Sequence, residues 1–275
     1  MAPGTLLPVS GNTMASMNLG SGTRVLVTGA SRGIGEVTAA AFARRGCTLG
    51  LLARNEERLN EVVAQLPGDG HETLSADAGD RESVTAAVER FGVVDVAMAN
   101  AGRADYASFH DMDVEVIEEM TRLNWLGTVY LVKAVLPGML ERRRGHIVLV
   151  SSGAGLRSFP SGAAYGATKA AVRGFGEALW HELDGTGVSL TIVYPGEVKT
   201  SIHEGKDDLP EWRRHSEEAE AEPLGEQIVE AVESDEQAVY YPKAIRGLRV
   251  THGISPRLGD RVVRRMRGRS AAPRD

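Results

Sequence analysis

Short apolar runs alternate with alanine-rich stretches along most of this chain. The runs cover 24–28, 47–53, 94–99, 147–150 and 188–194. Their length is typical of buried strands, and the helical stretches between them favour βαβ units. The pattern therefore predicts an α/β fold with a doubly wound parallel sheet. Its strands should share one carboxyl edge, where ligands bind in such folds.

The length of 275 residues is enough for a single α/β domain with a full core. We place this domain at 24–242. A leader at 1–23, rich in small and polar residues, is expected to be mobile. The charged segment 197–222 is expected to form a helical lid, and 243–275 a basic C-terminal extension.

Charge and composition argue against several classes of function. The chain has 31 Lys and Arg against 37 Asp and Glu, for a net charge of −6, so nucleic-acid binding is not expected. Cys47 is the only cysteine, and no cluster of metal-ligating residues has convincing spacing, so no metal is expected. We find no signal sequence and no apolar run of transmembrane length, and we therefore expect a cytoplasmic protein.

The first apolar run ends in a glycine-rich turn, Thr28-Gly29-Ala30-Ser31-Arg32-Gly33-Ile34-Gly35. A strand, a glycine turn and a helix in this order are typical of a Rossmann-type dinucleotide site. Glycines let the backbone approach the pyrophosphate, whose charge is favoured at the helix N-terminus. We therefore expect a dinucleotide cofactor.

The end of the second apolar run indicates which cofactor binds. An acidic residue there would bond the ribose 2′-hydroxyl and repel a 2′-phosphate. Instead Ala53 is followed by Arg54, and Arg32 lies inside the glycine turn. Two guanidiniums suit a phosphate through charge-assisted hydrogen bonds, which favours NADP(H) over NAD(H). The alternative is that Arg54 is solvated or pairs with Glu56 or Glu57.

Tyr165 and Lys169 are four residues apart, so they project from one face if the chain is helical from Ser161 onward. Free tyrosine, with a pKa of about 10, is a poor acid near neutrality, and a neighbouring cation lowers that pKa. The pair could then give a proton to the alkoxide that forms when a ketone accepts hydride. Ser152, thirteen residues before Tyr165, could hydrogen-bond the same oxygen.

Each of these signals also has a simpler interpretation. An isolated Tyr-x-x-x-Lys is more often a surface pair, and two serines after a strand usually form a turn. Ser152 is preferred over Ser151 on spacing alone. The glycine turn in the same chain, and the order of the two signals, favour the catalytic interpretation.

Together these motifs resemble those of the short-chain dehydrogenase/reductase family, over roughly Arg24 to Thr200. The matching residues are Gly29, Gly33 and Gly35 in the glycine turn, the Asn-Ala-Gly element Asn100, Ala101 and Gly102, then Asn124, Ser152, Tyr165, Lys169, Pro195, Gly196 and Thr200. The ordered set is highly specific.

The resemblance implies roles for these residues. Tyr165 would be the general acid or base, Lys169 would lower its pKa and bind the ribose, and Ser152 would hold the substrate oxygen. Asn124 would kink its helix and support a water leading from Lys169 to solvent. Read without the family, Asn124 would be a polar side chain satisfied by backbone. Asp77 matches an adenine-contacting residue, and a homodimer or homotetramer is implied.

The cofactor is thus expected to contact several segments of the chain. The residues concerned are Gly29, Ser31, Arg32, Gly33, Ile34, Gly35, Arg54, Asp77, Asn100, Ala101, Gly102, Tyr165, Lys169, Pro195, Gly196, Val198 and Thr200. The substrate is expected to meet Ile202, Leu209 and Trp212 of the lid, with further contacts from 103–106 and 154–159. Because these segments mix apolar and polar residues, we expect a moderately apolar carbonyl compound or secondary alcohol.

The C-terminal extension is strongly basic, with Lys243 and nine arginines against Asp260 and Asp275. An apolar residue recurs at every fourth position, at Ile254, Leu258, Val262 and Met266. This apolar stripe could cap the domain or pack on a partner subunit, which we favour. It could instead make a peripheral contact with an anionic membrane, or its arginines could pair with the acidic stretch 204–236.

We therefore predict an NADP(H)-dependent oxidoreductase that interconverts a carbonyl and a secondary alcohol, such as a carbonyl reductase. One alternative is a reductase of 3-ketoacyl groups linked to an acyl carrier protein. Another is a non-catalytic NADP(H)-binding sensor or interaction protein. The presence of Asn124, Ser152, Tyr165 and Lys169 together argues against the second alternative.

Overall fold

A computed structural model describes residues 17–200 and 218–255, together with 257 and 261. Strands and helices alternate along the chain as the apolar pattern predicts. In chain order they are β1 (Arg24–Thr28), α1 (Gly33–Arg44), β2 (Thr48–Ala53), α2 (Glu56–Gln65), β3 (Glu72–Ser75), α3 (Arg81–Phe91), β4 (Val96–Ala99), α4 (Val114–Met120), a π-helical turn (Thr121–Leu126), α5 (Gly127–Arg142), β5 (Gly145–Val150), α6 (Gly153–Leu156), α7 (Ala163–Glu182), β6 (Val188–Pro195), α8 (Glu222–Glu233), β7 (Ala238–Tyr241) and α9 (Ile245–Ile254).

Within the described residues, seven strands form one sheet in the order β3-β2-β1-β4-β5-β6-β7. Every neighbouring pair is parallel. This confirms the predicted doubly wound α/β fold of Rossmann type. The strand order reverses between β1 and β4, and ligands bind at the carboxyl edge of such a switch point.

Helices cover both faces of the sheet. On one face α1, α2 and α8 bury Phe42, Leu59 and Ile228 against the strands. On the other face α3, α5, α7 and α9 do the same with residues such as Leu131 and Val172. Because the central strands are buried on both sides, their sequences are continuously apolar rather than alternating.

The start of α7 differs from the sequence expectation. The helix that carries Tyr165 begins at Ala163 rather than at Ser161. Ser161 has a φ of +65°, which a right-handed helix does not allow, and Gly162 caps the helix. Tyr165 therefore lies in the first turn of α7.

The continuous helix Val114–Arg142 is 29 residues long and, by length and composition alone, could cross a membrane. This corrects the expectation that no segment reaches such a length. The apolar character has another physical source, because α5 packs against α3, β4 and β5 inside the domain. A core helix of a doubly wound sheet is apolar for that reason.

The two ends of the domain are more closely packed than the sequence pattern indicates. Within the predicted leader, Met17 and Leu19 pack against the core. Within the predicted extension, α9 buries Ile245 and Leu248 in the core. The central part of the predicted lid 197–222, residues 201–217, lies outside the described residues together with Ile202, Leu209 and Trp212, and we call this part the lid interval. The apolar stripe beyond Ile254 also lies outside the described residues.

Candidate active site

The glycine turn lies where β1 meets α1. Gly29 and Gly33 have φ of +65° and +60°, a conformation that L side chains rarely adopt. A β-carbon at Gly29 would come 2.8 Å from the Cα of Ala101, so the turn also touches the chain after β4. Asn100 Nδ2 donates to the backbone oxygens of Thr28 and Gly29, at 3.0 and 3.1 Å, and so ties the two strand ends together.

Gly35 serves this turn in a different way. A β-carbon at Gly35 would come 2.4 Å from the backbone oxygen of Gly29. The glycine therefore lets the first turn of α1 pack directly behind the loop, and it does not line the cleft. The first residues of α1, Gly33 and Ile34, line the cleft, so the helix N-terminus, whose first amides have no partner within the helix, lies at the cleft.

The cleft at this edge has a volume of about 1180 Å³. Eleven of the residues expected to bind the cofactor line it: Gly29, Ser31, Arg32, Gly33, Ile34, Arg54, Asp77, Asn100, Ala101, Gly102 and Thr200. Tyr165, Lys169, Pro195, Gly196 and Val198 do not form part of its wall. A glycine cradle, a helix N-terminus and a cleft of this volume fit a dinucleotide.

Three arginines line the cleft beside the carboxyl end of β2, and we call them the arginine rim: Arg32, Arg54 and Arg58. Arg32 and Arg54 are exposed, and neither makes an ion pair with any residue that the structure describes. The alternative in which Arg54 pairs with Glu56 or Glu57 is therefore not observed.

Sequence reasoning missed Arg58, the third member of the rim. Its Nε donates to the backbone oxygen of Ser31 at 3.2 Å, and its other nitrogens meet Glu61 at 2.6 Å and Glu36 at 3.4 Å. The guanidinium thus joins α2 to the glycine turn. Its spacing of four residues from Arg54, across the start of α2, was the available signal.

The opposite side of the cleft is formed by the chain that flanks the lid interval. Val198 and Ala219 form a parallel β-bridge. Lys199 lies 3.5 Å from Glu220, and both residues line the cleft. This pair was also missed, because the sequence gives no indication that the two ends of a long charged segment meet.

Asn124 lies in the π-helical turn, where the regular hydrogen-bonding of the helix Val114–Arg142 is interrupted. The side chain is fully buried. Its Oδ1 accepts from Arg103 N at 2.8 Å, and its Nδ2 donates to Arg103 O at 2.9 Å and to Thr168 Oγ1 at 3.0 Å. Asn124 therefore fixes the loop after β4 against α7, with backbone partners at Arg103, as expected without the family, and a side-chain partner at Thr168.

Lys169 is buried, with 5% of its surface exposed, and its Nζ donates to Val150 O at 2.9 Å. Burial lowers the pKa of this lysine from 10.5 to about 8. A β-carbon at Gly102 would come 3.4 Å from Nζ and 3.1 Å from Asn124 Oδ1. Lys169 and Asn124 therefore lie directly behind the part of the cleft wall that Gly102 forms.

Tyr165 lies one turn before Lys169 on α7 and is half-buried. Its ring meets the edge of Tyr106, with centroids 5.9 Å apart and the rings at 79°. The ring centroid of Tyr106 in turn lies 5.9 Å from that of Phe159. The expected substrate segments 103–106 and 154–159 thus bring aromatic rings to the catalytic tyrosine candidate.

The two serines after β5 have different environments. Ser151 Oγ donates to Lys169 O at 2.8 Å and is bound to the backbone of α7. Ser152 Oγ accepts from Ala154 N at 3.1 Å and donates to Pro195 O at 3.4 Å. The hydroxyl chosen on spacing therefore lies between the loops that follow β5 and β6.

Within the described part of the chain, no group of three His, Cys, Asp or Glu side chains could hold a metal ion. Ser152, Tyr165 and Lys169 bring a hydroxyl, a phenol and a buried amine close to the dinucleotide cleft. Fold and cleft together define a dinucleotide-binding protein of Rossmann type.

Comparison with known proteins identifies the family. The sequence profile described as short chain dehydrogenase matches residues 23–210. An uncharacterized oxidoreductase of Staphylococcus epidermidis is 37% identical over 186 residues, which are 66% of this chain and 80% of that protein. The chain therefore belongs to the short-chain dehydrogenase family, and it is an oxidoreductase that acts on CH–OH donors with a nicotinamide cofactor.

Two solved structures show the same fold with a cofactor. A short-chain dehydrogenase from Sphingobium yanoikuyae in complex with NADPH is 30% identical, with a TM-score of 0.76, covering 92% of this chain and 100% of that one. A short-chain dehydrogenase/reductase from Burkholderia phymatum in complex with NAD is 24% identical, with a TM-score of 0.78, covering 88% and 96%.

Proposed function

We propose that the protein is an NADP(H)-dependent carbonyl reductase that also oxidises the corresponding secondary alcohol, with Tyr165 as general acid and base. The observation that carries the cofactor assignment is the arginine rim. It lines the cleft at the end of β2, where Ala53 replaces the acidic residue that would bond a free ribose 2′-hydroxyl. The Sphingobium relative, which binds NADPH, supports the same assignment.

The residues that would hold the cofactor fall into three groups. The glycine turn and the N-terminus of α1 would bind the pyrophosphate through backbone amides. The arginine rim would bind the 2′-phosphate through charge-assisted hydrogen bonds. Lys169, behind Gly102, would contact the ribose next to the nicotinamide.

The proton chemistry would belong to α7 and the loop after β5. A nicotinamide held in the cleft would supply or accept the hydride at the substrate carbon. Tyr165 gives its phenolic proton to the substrate oxygen during reduction and takes it back during oxidation. Ser152 Oγ donates to Pro195 O at 3.4 Å in this structure. By rotating, the hydroxyl can donate instead to the substrate oxygen and stabilise the charge that develops there. The Lys169 ammonium favours the phenolate of Tyr165.

The substrate would be moderately apolar. Tyr106 lies against Tyr165, Phe159 lies behind Tyr106, and the two rings can help to exclude water from the carbonyl that is being reduced. Aryl ketones and short diketones fit this environment and serve as probes. A 3-ketoacyl thioester belongs in the same panel. The alternative function, a reductase of 3-ketoacyl groups on an acyl carrier protein, predicts that this compound is the preferred substrate.

Exchanging the charges at the end of β2 tests the cofactor assignment. We expect Ala53→Asp and Arg54→Ala each to lower the ratio of kcat/KM for NADPH over NADH by about 10- to 100-fold, because a hydrogen bond to a charged group contributes about 1.5–3 kcal/mol. Arg90→Ala, which removes an exposed arginine of α3 outside the cleft, is the matched control. A preference for NADPH that survives both changes would contradict the assignment.

Cytoplasmic location and assembly into a homodimer or homotetramer stay predictions. The helices that carry Asn124 and Tyr165 are the expected contact surfaces. Sedimentation of the full chain would give the oligomeric state.

A further inference from the structure

One side chain of the C-terminal helix lies against two glycines of the active-site loops. Ile245, the first residue of α9, is buried, with 7% of its surface exposed. A β-carbon at Gly196 would come 2.8 Å from Ile245 Cδ1 and 3.1 Å from Cγ1. A β-carbon at Gly153 would come 3.4 Å from Cδ1 and 3.6 Å from Cγ2. Neither glycine has a positive φ, so Gly196 is required by space rather than by backbone conformation.

One of these glycines follows the residue that carries the serine hydroxyl, and the other follows the residue whose backbone oxygen accepts from it. Gly153 follows Ser152, and Gly196 follows Pro195. Ser152 Oγ has one hydrogen bond within its own loop, from Ala154 N, and one to the other loop, at Pro195 O. Ile245 therefore contacts both of the loops to which the Ser152 hydroxyl is hydrogen-bonded.

The position of Ile245 is itself fixed by the end of the sheet. Gly196 N donates to Tyr241 O at 2.6 Å, and Pro195 is the register partner of Tyr241 in the β6–β7 pair. Ile245 N donates to Pro242 O at 2.9 Å. The end of β7 therefore fixes both the backbone of Ile245 and the loop after β6. Because the Ile245 side chain also reaches Gly153, it links the loop after β5 to the same strand end.

We propose that Ile245 is a positioning residue for Ser152, acting through Gly153 and Gly196. The first turn of the basic extension would then set the geometry of the chemical step. The effect on turnover rests on the proposed function, because it requires Ser152 to hold the substrate oxygen. The effect on the two loops does not.

The first experiment measures the loops without any substrate. We expect Ile245→Val, which removes Cδ1, to raise amide hydrogen exchange in 152–157 and 196–198 of the full chain by about threefold or more. Leu248→Ala is the matched control, since Leu248 is buried to the same degree on the same helix. Equal exchange in the two variants would overturn the proposal, because Ile245 would then be an ordinary core residue.

The second experiment measures turnover with NADPH and the best carbonyl of the probe panel. We expect Ile245→Ala to lower kcat by 10-fold or more at unchanged KM for NADPH, since a misplacement of about 1 Å can reduce rate on the order of 100-fold. Ile245→Leu, which conserves volume, should recover most of the rate, and Leu248→Ala should retain it. Equal kcat for Ile245→Ala and Leu248→Ala would overturn the proposal.

A reciprocal substitution identifies the contact itself. Gly196→Ala should lower kcat, because its β-carbon meets Ile245 Cδ1 at 2.8 Å, and adding Ile245→Val should restore part of the loss. Losses that simply add would show that the two residues are not coupled, and would overturn the proposal. Increased exchange in Ile245→Val together with no carbonyl reduction by the native protein would support the positioning role and contradict the proposed function.

Discussion

The candidate site has a cofactor end, which the cleft forms, and a chemical end around Ser152, Tyr165 and Lys169, and glycines are required at the two ends for different reasons. At the cofactor end, Gly29 and Gly33 have positive φ, so the turn itself excludes other residues. At the chemical end, Gly196 has an ordinary backbone conformation and makes room for Ile245, which also reaches Gly153 at ordinary contact distance. The first requirement is local and visible as a sequence motif. The second depends on a contact with a distant helix, which no motif records.

The charged side chains at the two ends differ in their exposure to solvent. Arg32 and Arg54 are exposed at the cleft wall, where solvent screens them and mutation should change affinity more than stability. Lys169 is buried, and burial lowers its pKa to about 8. The cofactor end therefore carries accessible charge, whereas the chemical end maintains a desolvated charge at a cost in stability.

The largest expected effect is at the chemical end. We expect Tyr165→Phe to lower kcat on the order of 1000-fold, because general acid catalysis contributes roughly 100- to 10,000-fold. The dissociation constant for NADPH, measured by fluorescence titration, should rise by no more than about 10-fold, because the substitution removes a single hydroxyl from a residue expected to contact the cofactor. Tyr130→Phe, which removes a hydroxyl from α5 outside the site, is the control. A variant that turns over at the native rate would remove Tyr165 from the mechanism.

A smaller effect is expected from adding a methyl group at the cofactor end. Gly29→Ala combines an unfavourable φ with the 2.8 Å approach to Ala101 Cα, so we expect a loss of about 3 kcal/mol in unfolding free energy. Gly185→Ala is the control, since Gly185 has a φ of +71° and no neighbouring atom within 4 Å, and it should lose about 1 kcal/mol. Urea unfolding measures both. Equal losses would show that conformation alone requires Gly29.

The smallest expected effect is a pH dependence at the chemical end. Because burial lowers the pKa of Lys169 from 10.5 to about 8, the unfolded chain binds more protons between these values and the native protein gains stability as pH rises. The unfolding free energy of the native protein relative to Lys169→Met should therefore rise by about 2 kcal/mol from pH 7 to pH 10. Lys133→Met, an exposed lysine of α5, should show no such rise. A constant difference for Lys169→Met would mean that its ammonium is not desolvated.

Much of the fold could be predicted, because buried parallel strands are apolar along their whole length and the turns between them carry glycine. The start of α7 could not, since the left-handed conformation of Ser161 arises from its loop rather than from its residue type. The glycine turn and the Tyr165–Lys169 spacing were visible because both are local.

The parts of the candidate site that were missed depend on tertiary contacts. Arg58 joins the arginine rim only because α2 starts beside the glycine turn. Lys199 and Glu220 meet only because the flanks of the lid interval pair through Val198 and Ala219. Ile245 lies under the Ser152 loop only because β7 ends beside β6.

The central claim is that this chain reduces carbonyl compounds with NADPH. The direct measurement is the initial rate of cofactor oxidation by the native protein with the panel of aryl ketones, diketones and a 3-ketoacyl thioester, using NADPH and NADH in parallel. We expect turnover of at least one carbonyl with kcat/KM at least about 10-fold higher for NADPH than for NADH. Equal or better use of NADH, or no oxidation of either cofactor with any carbonyl, would contradict the claim.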